Sequence, residues 1–147
     1  MLRTKIDYGI DLGTTNSAIS RKENGEVKII KSDESTQTDT TPSCVHFNKK
    51  QIIFVGQKAF NLLGAETINT FKEFTKTKNE VDGNTFIEFK RTMGSDYKYA
   101  SSNMKREFTS EELSAEVLKK LKGFVREEQI DSVIITVPAM FRQNQLD

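Results

Sequence analysis

Apolar and polar residues alternate with a period of two at the start of the chain. Ile6, Tyr8, Ile10 and Leu12 are apolar, with Asp7, Gly9 and Asp11 between them. That period puts one row of side chains on each face of a sheet, so a strand is predicted over Ile6–Leu12. Ser17–Lys22 and Val27–Ile30 read as two shorter strands. Asn24-Gly25 lies between them and tolerates positive φ at both turn positions, which predicts a hairpin. The polar run Lys31–Thr41 breaks the pattern and reads as a solvated loop. Beyond it, Cys44–Phe47 and Ile52–Val55 make a second strand pair. Gln57–Leu63 reads as a short helix, Phe71–Phe74 as a strand, Asp82-Gly83 as a turn, and Phe86–Met93 as a short helix bearing Lys90 and Arg91.

The clearest periodicity is helical. Leu113, Val117, Leu121, Phe124 and Val125 recur on one face of a helix predicted over Ser110–Glu128. Thr109 precedes it and Glu112 follows three residues later, the spacing of a capping box. Ser132–Val137 is a mostly β-branched apolar run, and it predicts a central strand buried on both faces, ended by Pro138. Such a strand needs cover on both sides, yet only nine residues follow Pro138. The chain is therefore expected to be an N-terminal piece of a longer protein.

A length of 147 residues suits one ordinary domain or part of a larger one. Lys and Arg total 22 against 21 Asp and Glu, a net charge of +1. Bulk charge thus gives no pull toward nucleic acid or an anionic membrane, and neither is expected as a partner. Any anion binding has to be local. No run of apolar residues approaches the roughly 18 of a membrane span. Asp7 and Asp11 interrupt the N-terminal stretch, which does not read as a signal peptide. Cys44 is the single cysteine and His46 the single histidine, so an intrachain disulfide is excluded and a structural zinc site is not expected. Two apart on a strand, they face one side and read as a buried thiol beside a surface-edge histidine. A reducing, cytoplasmic compartment is the expectation.

The sharpest local chemistry is Asp11-Leu12-Gly13-Thr14-Thr15-Asn16-Ser17. A strand ends at an acid and a leucine, and a glycine then opens a run of hydroxyl and amide residues. Glycine lets a ligand approach the backbone closely. Consecutive N–H groups in such a turn can form an anion-binding nest, and Asp11 can hold a hydrated Mg²⁺. By spacing alone the segment reads equally as a plain polar hairpin loop. Neither G-x-x-x-x-G-K-S/T nor G-x-G-x-x-G is present, so neither a P-loop nor a Rossmann site is indicated.

The window Tyr8-Gly9-Ile10-Asp11-Leu12-Gly13-Thr14-Thr15-Asn16-Ser17-Ala18 resembles the first phosphate loop of the 70-kDa heat-shock chaperones, members of the actin, sugar-kinase and chaperone ATPase superfamily. The resemblance continues in order. Thr40-Thr41-Pro42-Ser43 matches their T-T-P-S. Asn84–Arg91 is similar to N-T-x-x-D/E-x-K-R, and Leu113–Lys122 to I-S-A-x-V-L-x-x-M/L-K. Ile134–Ala139 matches V-I-T-V-P-A. The resemblance implies an α/β, ribonuclease-H-like core from residues 1–41 and 108–147, with a small α+β subdomain, 42–107, inserted in it. Together these would be the first lobe of a two-lobed ATPase. It also implies ATP or ADP with Mg²⁺ as cofactors, and unfolded client peptides and co-chaperones as partners of the longer protein.

Residue by residue, the resemblance implies that Gly13, Thr14, Thr15 and Asn16 touch the β- and γ-phosphates. Asp11 would hold a water of the Mg²⁺ shell, and Lys90 would reach the γ-phosphate as the catalytic group. Pro138 would relay nucleotide state between domains. A cation at position 90 suits a reaction in which phosphate oxygens gain charge, although spacing alone would make it a solvated lysine. The chain departs from the family pattern at Met140-Phe141-Arg142 and at Leu146, where the family carries a relay arginine. The second phosphate loop and the adenosine pocket have no counterpart in these residues, so residues 1–147 alone are expected to be inactive. An actin-like filament protein and an inactive chaperone-like scaffold of the same superfamily are the alternatives. No segment matches the carboxylate base of a sugar kinase.

Overall fold

The computed structural model describes residues 7–33, 36–79, 82–126 and 129–136. Strands β1 (Tyr8–Leu12) and β2 (Asn16–Glu23) form an antiparallel pair, with Leu12 opposite Ser17 and Tyr8 opposite Arg21. Asn24 and Gly25 take φ of 50° and 82°, the left-handed pair that a tight hairpin demands, and lead into β3 (Glu26–Ile30). The alternation seen in the sequence is real: Tyr8, Ile10 and Leu12 are buried, and Gly9 and Asp11 are not. The short β4 (Thr41–Pro42) lies against the start of β2.

A second sheet follows. β5 (Cys44–Phe47) is flanked by β6 (Ile53–Val55) and, after helix α1 (Gln57–Thr77), by β7 (Thr85–Ile87). A 3₁₀ turn over Phe89–Thr92 comes next, then the hairpin β8 (Lys98–Ser101) and β9 (Arg106–Thr109). Helix α2 (Ser110–Gly123) and β10 (Ile134–Thr136) complete the described elements. β10 runs parallel to β1, so the first sheet has the order β10-β1-β2-β3, with β4 attached to β2.

The two sheets share one core. Leu113, Val117 and Leu121 on α2 are at most 1% exposed and belong to the same cluster as Tyr8, Ile10, Leu12 and Ile19 of the first sheet. α2 also packs on β5, β6, β9 and the 3₁₀ turn, so it joins the two halves. Phe47 stacks on Phe108 with centroids 4.4 Å apart and meets Phe86 at 6.0 Å. The Thr109 hydroxyl accepts from the Glu112 N–H, as the capping signal predicts. The other half of the box is different, because the Glu112 carboxylate turns to Arg106 at 3.3 Å.

Several expectations need correcting. Phe71–Phe74 is helix, not strand, since α1 runs on past Leu63 to Thr77. Its inward row is Ala59, Leu63, Glu66 and Thr70, and Phe71 and Phe74 lie on the solvent side. The phenylalanines drew attention to the wrong face. Phe86–Met93 is a strand followed by a 3₁₀ turn, because Glu88 adopts φ of 54° and breaks the path between two buried rings, Phe86 and Phe89. α2 stops at Gly123: the N–H groups of Phe124 and Val125 bond back to Leu121 and Lys122, tightening the last turn. Glu128, at the end of the expected helix, lies outside the described residues. β10 is exposed rather than doubly buried, with Ile134 57% and Ile135 41% exposed. A β-branched run signals strand propensity, whereas burial depends on what lies over it. Ile6 and Val137, the ends of two expected strands, fall outside the described residues. Among the described residues no helix is long and apolar enough to cross a membrane.

Phe47 is one ring through which the second sheet meets the β8–β9 hairpin; Phe86, which meets Tyr99 at 5.7 Å, is another. Phe47→Ala is expected to lower unfolding free energy by about 3–5 kcal/mol, read from urea denaturation of the chain. A loss below about 1 kcal/mol would show that this ring stack does not carry the second half of the core.

Candidate functional site

β1 and β2 are joined by a turn at Gly13-Thr14-Thr15. A Cβ on Gly13 would lie 2.0 Å from the Asn16 carbonyl oxygen, so the turn closes only around glycine. Thr15 and Asn16 are exposed, and Thr14 is half-buried. The turn is strapped from one side by Thr41-Pro42-Ser43. The Ser43 hydroxyl donates to the Gly13 carbonyl at 2.8 Å, and its N–H donates to the Thr15 carbonyl at 2.9 Å. Ser17 Oγ and Ser43 Oγ are 2.8 Å apart and both side chains are buried. With the Ser43 proton committed to Gly13, the Ser17 hydroxyl is the donor between them.

Asp11 stands exposed near the end of β1, opposite Thr136 of β10. The Thr136 hydroxyl donates to Asp11 Oδ1 at 2.9 Å and lies 3.4 Å from the Ile10 carbonyl. The parallel pairing thus fixes the orientation of a carboxylate beside the turn.

Lys90 comes from the second half of the molecule. It sits on the 3₁₀ turn and is 4% exposed. Phe89, 1% exposed, anchors that turn in the core, and its carbonyl accepts a hydrogen bond from the Ser110 hydroxyl. Burial lowers the Lys90 pKa from the ordinary lysine value, and the negative charge of Asp11 partly offsets that. The ammonium therefore lies in the field of Asp11. Arg91, its neighbour, points outward to Glu88 at 3.5 Å.

The structure thus brings Asp11, Gly13, Thr14, Thr15 and Asn16 to one end of the first sheet, and Lys90 feels the charge of Asp11 without a direct ion pair between the two. Pro138 and Leu146 lie outside the described residues. Cys44 is fully buried, and burial, then the Glu66 charge, pushes its thiol up to about 12. Such a thiol stays protonated and unreactive at neutral pH. His46 Nδ1 is 2.7 Å from Thr85 Oγ1 and 3.4 Å from Glu66 Oε2, a structural clasp between β5, β7 and α1. Among the described residues no cluster of three or more His, Cys, Asp or Glu side chains could hold a metal. An ion at Asp11 would have to be held largely through water.

Two participants escape a reading of composition and period. Ser43 lies in a recognisable four-residue motif, but nothing local says that its hydroxyl reaches back thirty positions to Gly13. Thr136 faces Asp11 only once β10 is paired in register with β1. Strand pairing is the signal in both cases, and it is not written in either segment alone.

Comparison with known proteins points to one family. The family described as Hsp70 protein matches residues 7–146. Chaperone protein dnaK of Thalassiosira pseudonana is 35% identical over 93% of this chain and 24% of its own length. The protein of the same name from Gracilaria tenuistipitata var. liui is 36% identical over 93% of this chain and 23% of its own length. The chain spans about a quarter of the length of these curated relatives.

One substitution should have opposite signs at two glycines. Gly13→Ala, forced against the Asn16 carbonyl, is expected to cost about 1–3 kcal/mol. Gly64→Ala, in the middle of α1 with open space around its Cβ, should gain about 0.5–1 kcal/mol. Urea unfolding of both variants checks this. Equal effects would mean the Gly13 turn is looser than its geometry.

Proposed function

As the chain belongs to the Hsp70 protein family, we propose that it forms the first lobe of an ATP-binding domain whose longer protein is a heat-shock-type molecular chaperone, coupling ATP hydrolysis to the binding of unfolded peptide. In this reading residues 1–41 and 108–147 are the ribonuclease-H-like core and residues 42–107 an inserted α+β subdomain. The division of strands supports it: β1, β2, β3 and β10 share one sheet, while β5, β6 and β7 make another. Co-chaperones and client peptides are partners of the whole protein, which works in the cytoplasm. Residues 1–147 alone supply one wall of the nucleotide cleft and do not turn over ATP.

The single observation that carries the proposal is Lys90, a lysine held 4% exposed in the field of Asp11. A buried ammonium has a desolvation cost that a purely structural position would avoid with an apolar residue. Within the field of Asp11, which stands two residues before Gly13, that charge would favour an anion. The donor set fits MgATP: backbone N–H groups and hydroxyls for phosphate oxygens, one carboxylate for a metal-bound water, and one cation. Bound MgATP would supply the transferable phosphoryl group and the divalent charge. Gly13, Thr14, Thr15 and Asn16 would hold the phosphates, Asp11 would orient a water of the Mg²⁺ shell, and Lys90 would offset negative charge on the phosphate oxygens. Pro138 would pass the nucleotide state onward.

In the longer protein with both lobes, Lys90→Ala should lower ATP hydrolysis by about 10²–10³-fold, the size expected on removing one charge-stabilising donor. ATP binding should be mostly retained. Single-turnover hydrolysis and equilibrium binding separate the two. Unchanged turnover would remove Lys90 from the mechanism.

A further inference from the structure

Ser43 makes two hydrogen bonds whose targets are the two carbonyls that flank Thr14 and Thr15. Its hydroxyl takes the Gly13 oxygen and its N–H takes the Thr15 oxygen, at 2.8 and 2.9 Å. A trans peptide is planar, with C=O and N–H directed oppositely, and no peptide among the described residues is cis. Drawing the Gly13 carbonyl toward Ser43 therefore turns the Thr14 N–H away from it. The Thr15 carbonyl does the same for the Asn16 N–H. Both N–H groups belong to the turn, and both are directed away from the strap formed by Thr41-Pro42-Ser43. If either carbonyl rotated out, it would present a negative oxygen where an anion approaches, and its paired N–H would face inward.

We propose that Ser43 is a positioning residue for phosphate recognition: it holds two carbonyls inward so that the amides of Thr14 and Asn16 face the incoming anion. This inference rests on the turn being a phosphate site, as proposed above. Ser43 acts through the backbone and does not touch the phosphate. Ser17 provides an internal comparison. It is as buried as Ser43, 2% against 3% exposed, and its hydroxyl meets Ser43 Oγ rather than a turn carbonyl. Loss of either hydroxyl should weaken the fold to a similar degree, but only Ser43 should set the direction of the amides.

The test uses the full chain, ¹⁵N-labelled and titrated with MgATP and, separately, with inorganic tripolyphosphate plus Mg²⁺, following the amide shifts of residues 13–16. Ser43→Ala should weaken both titrations about tenfold or more, roughly 1.4 kcal/mol. Ser17→Ala should stay within about twofold of the unaltered chain, and Ser43→Thr, which keeps the hydroxyl, should restore most of the affinity. Equal losses in the two alanine variants, or unaltered affinity in Ser43→Ala, would overturn the assignment. If the unaltered chain, one wall of the cleft, gives no shift at residues 13–16, the titration is repeated on the longer protein with both lobes, where an absent shift overturns the phosphate reading of the turn. The positioning role is then decided without ligand, by amide hydrogen exchange at Thr14 and Asn16. Faster exchange in Ser43→Ala but not in Ser17→Ala upholds it, and equal rates reject it.

Discussion

A lysine side chain taken out of water within the field of a carboxylate is the constraint around which the candidate site is arranged. Desolvation of the Lys90 ammonium opposes its charge and the Asp11 carboxylate favours it. The two groups arrive from different parts of the chain. Asp11 lies near the end of a strand of the first sheet, and Lys90 rides on the 3₁₀ turn that follows the second. Their meeting depends on every element that sets the two halves against each other. Foremost are the buried row of α2 and the Ser110 hydroxyl, which fixes the Phe89 carbonyl at the base of that turn.

The phosphate-side geometry has a parallel logic. A hairpin turn of hydroxyl residues is ordinarily mobile, because little around it is buried. Here the strap through Ser43 ties both of its flanking carbonyls, and Thr136 orients the carboxylate next to it. Within the turn and its strap, the residues that would face a ligand are more open than the ones that hold them. Thr15 and Asn16 are exposed, whereas Ser17, Thr41 and Ser43 are not. Such a division gives preorganisation without closing the site.

Much of this was legible in the sequence wherever a local rule governs the outcome. The alternation from Tyr8 to Leu12, the Asn24-Gly25 turn and the helical row Leu113, Val117 and Leu121 each follow from a periodicity or a backbone preference that acts within a few residues. Phe71 and Phe74 misled because aromatic residues favour strands in general, while their spacing of three continues a helix. Glu88 could not be foreseen as a break, since its left-handed φ is imposed by the burial of Phe86 and Phe89 on either side. The β8–β9 hairpin was missed altogether. Its strands are four residues each, and the bend at Lys105, φ 55°, carries no Gly or Asn-Gly signal. At the site, the turn residues and Lys90 were visible through family motifs. Ser43 and Thr136 acquired roles only from pairings that span 30 and 125 positions.

The candidate site requires Lys90 and Asp11 to share one electrostatic environment, and the titration of the Lys90 Cε protons measures this most directly. NMR of the chain across alkaline pH, with the Asp11→Asn variant alongside, is the experiment. The predicted result is a midpoint below that of an ordinary lysine in the unaltered chain, moved lower still in Asp11→Asn, where the supporting charge is gone. A midpoint at or above the ordinary lysine value, or one that Asp11→Asn leaves in place, would contradict it.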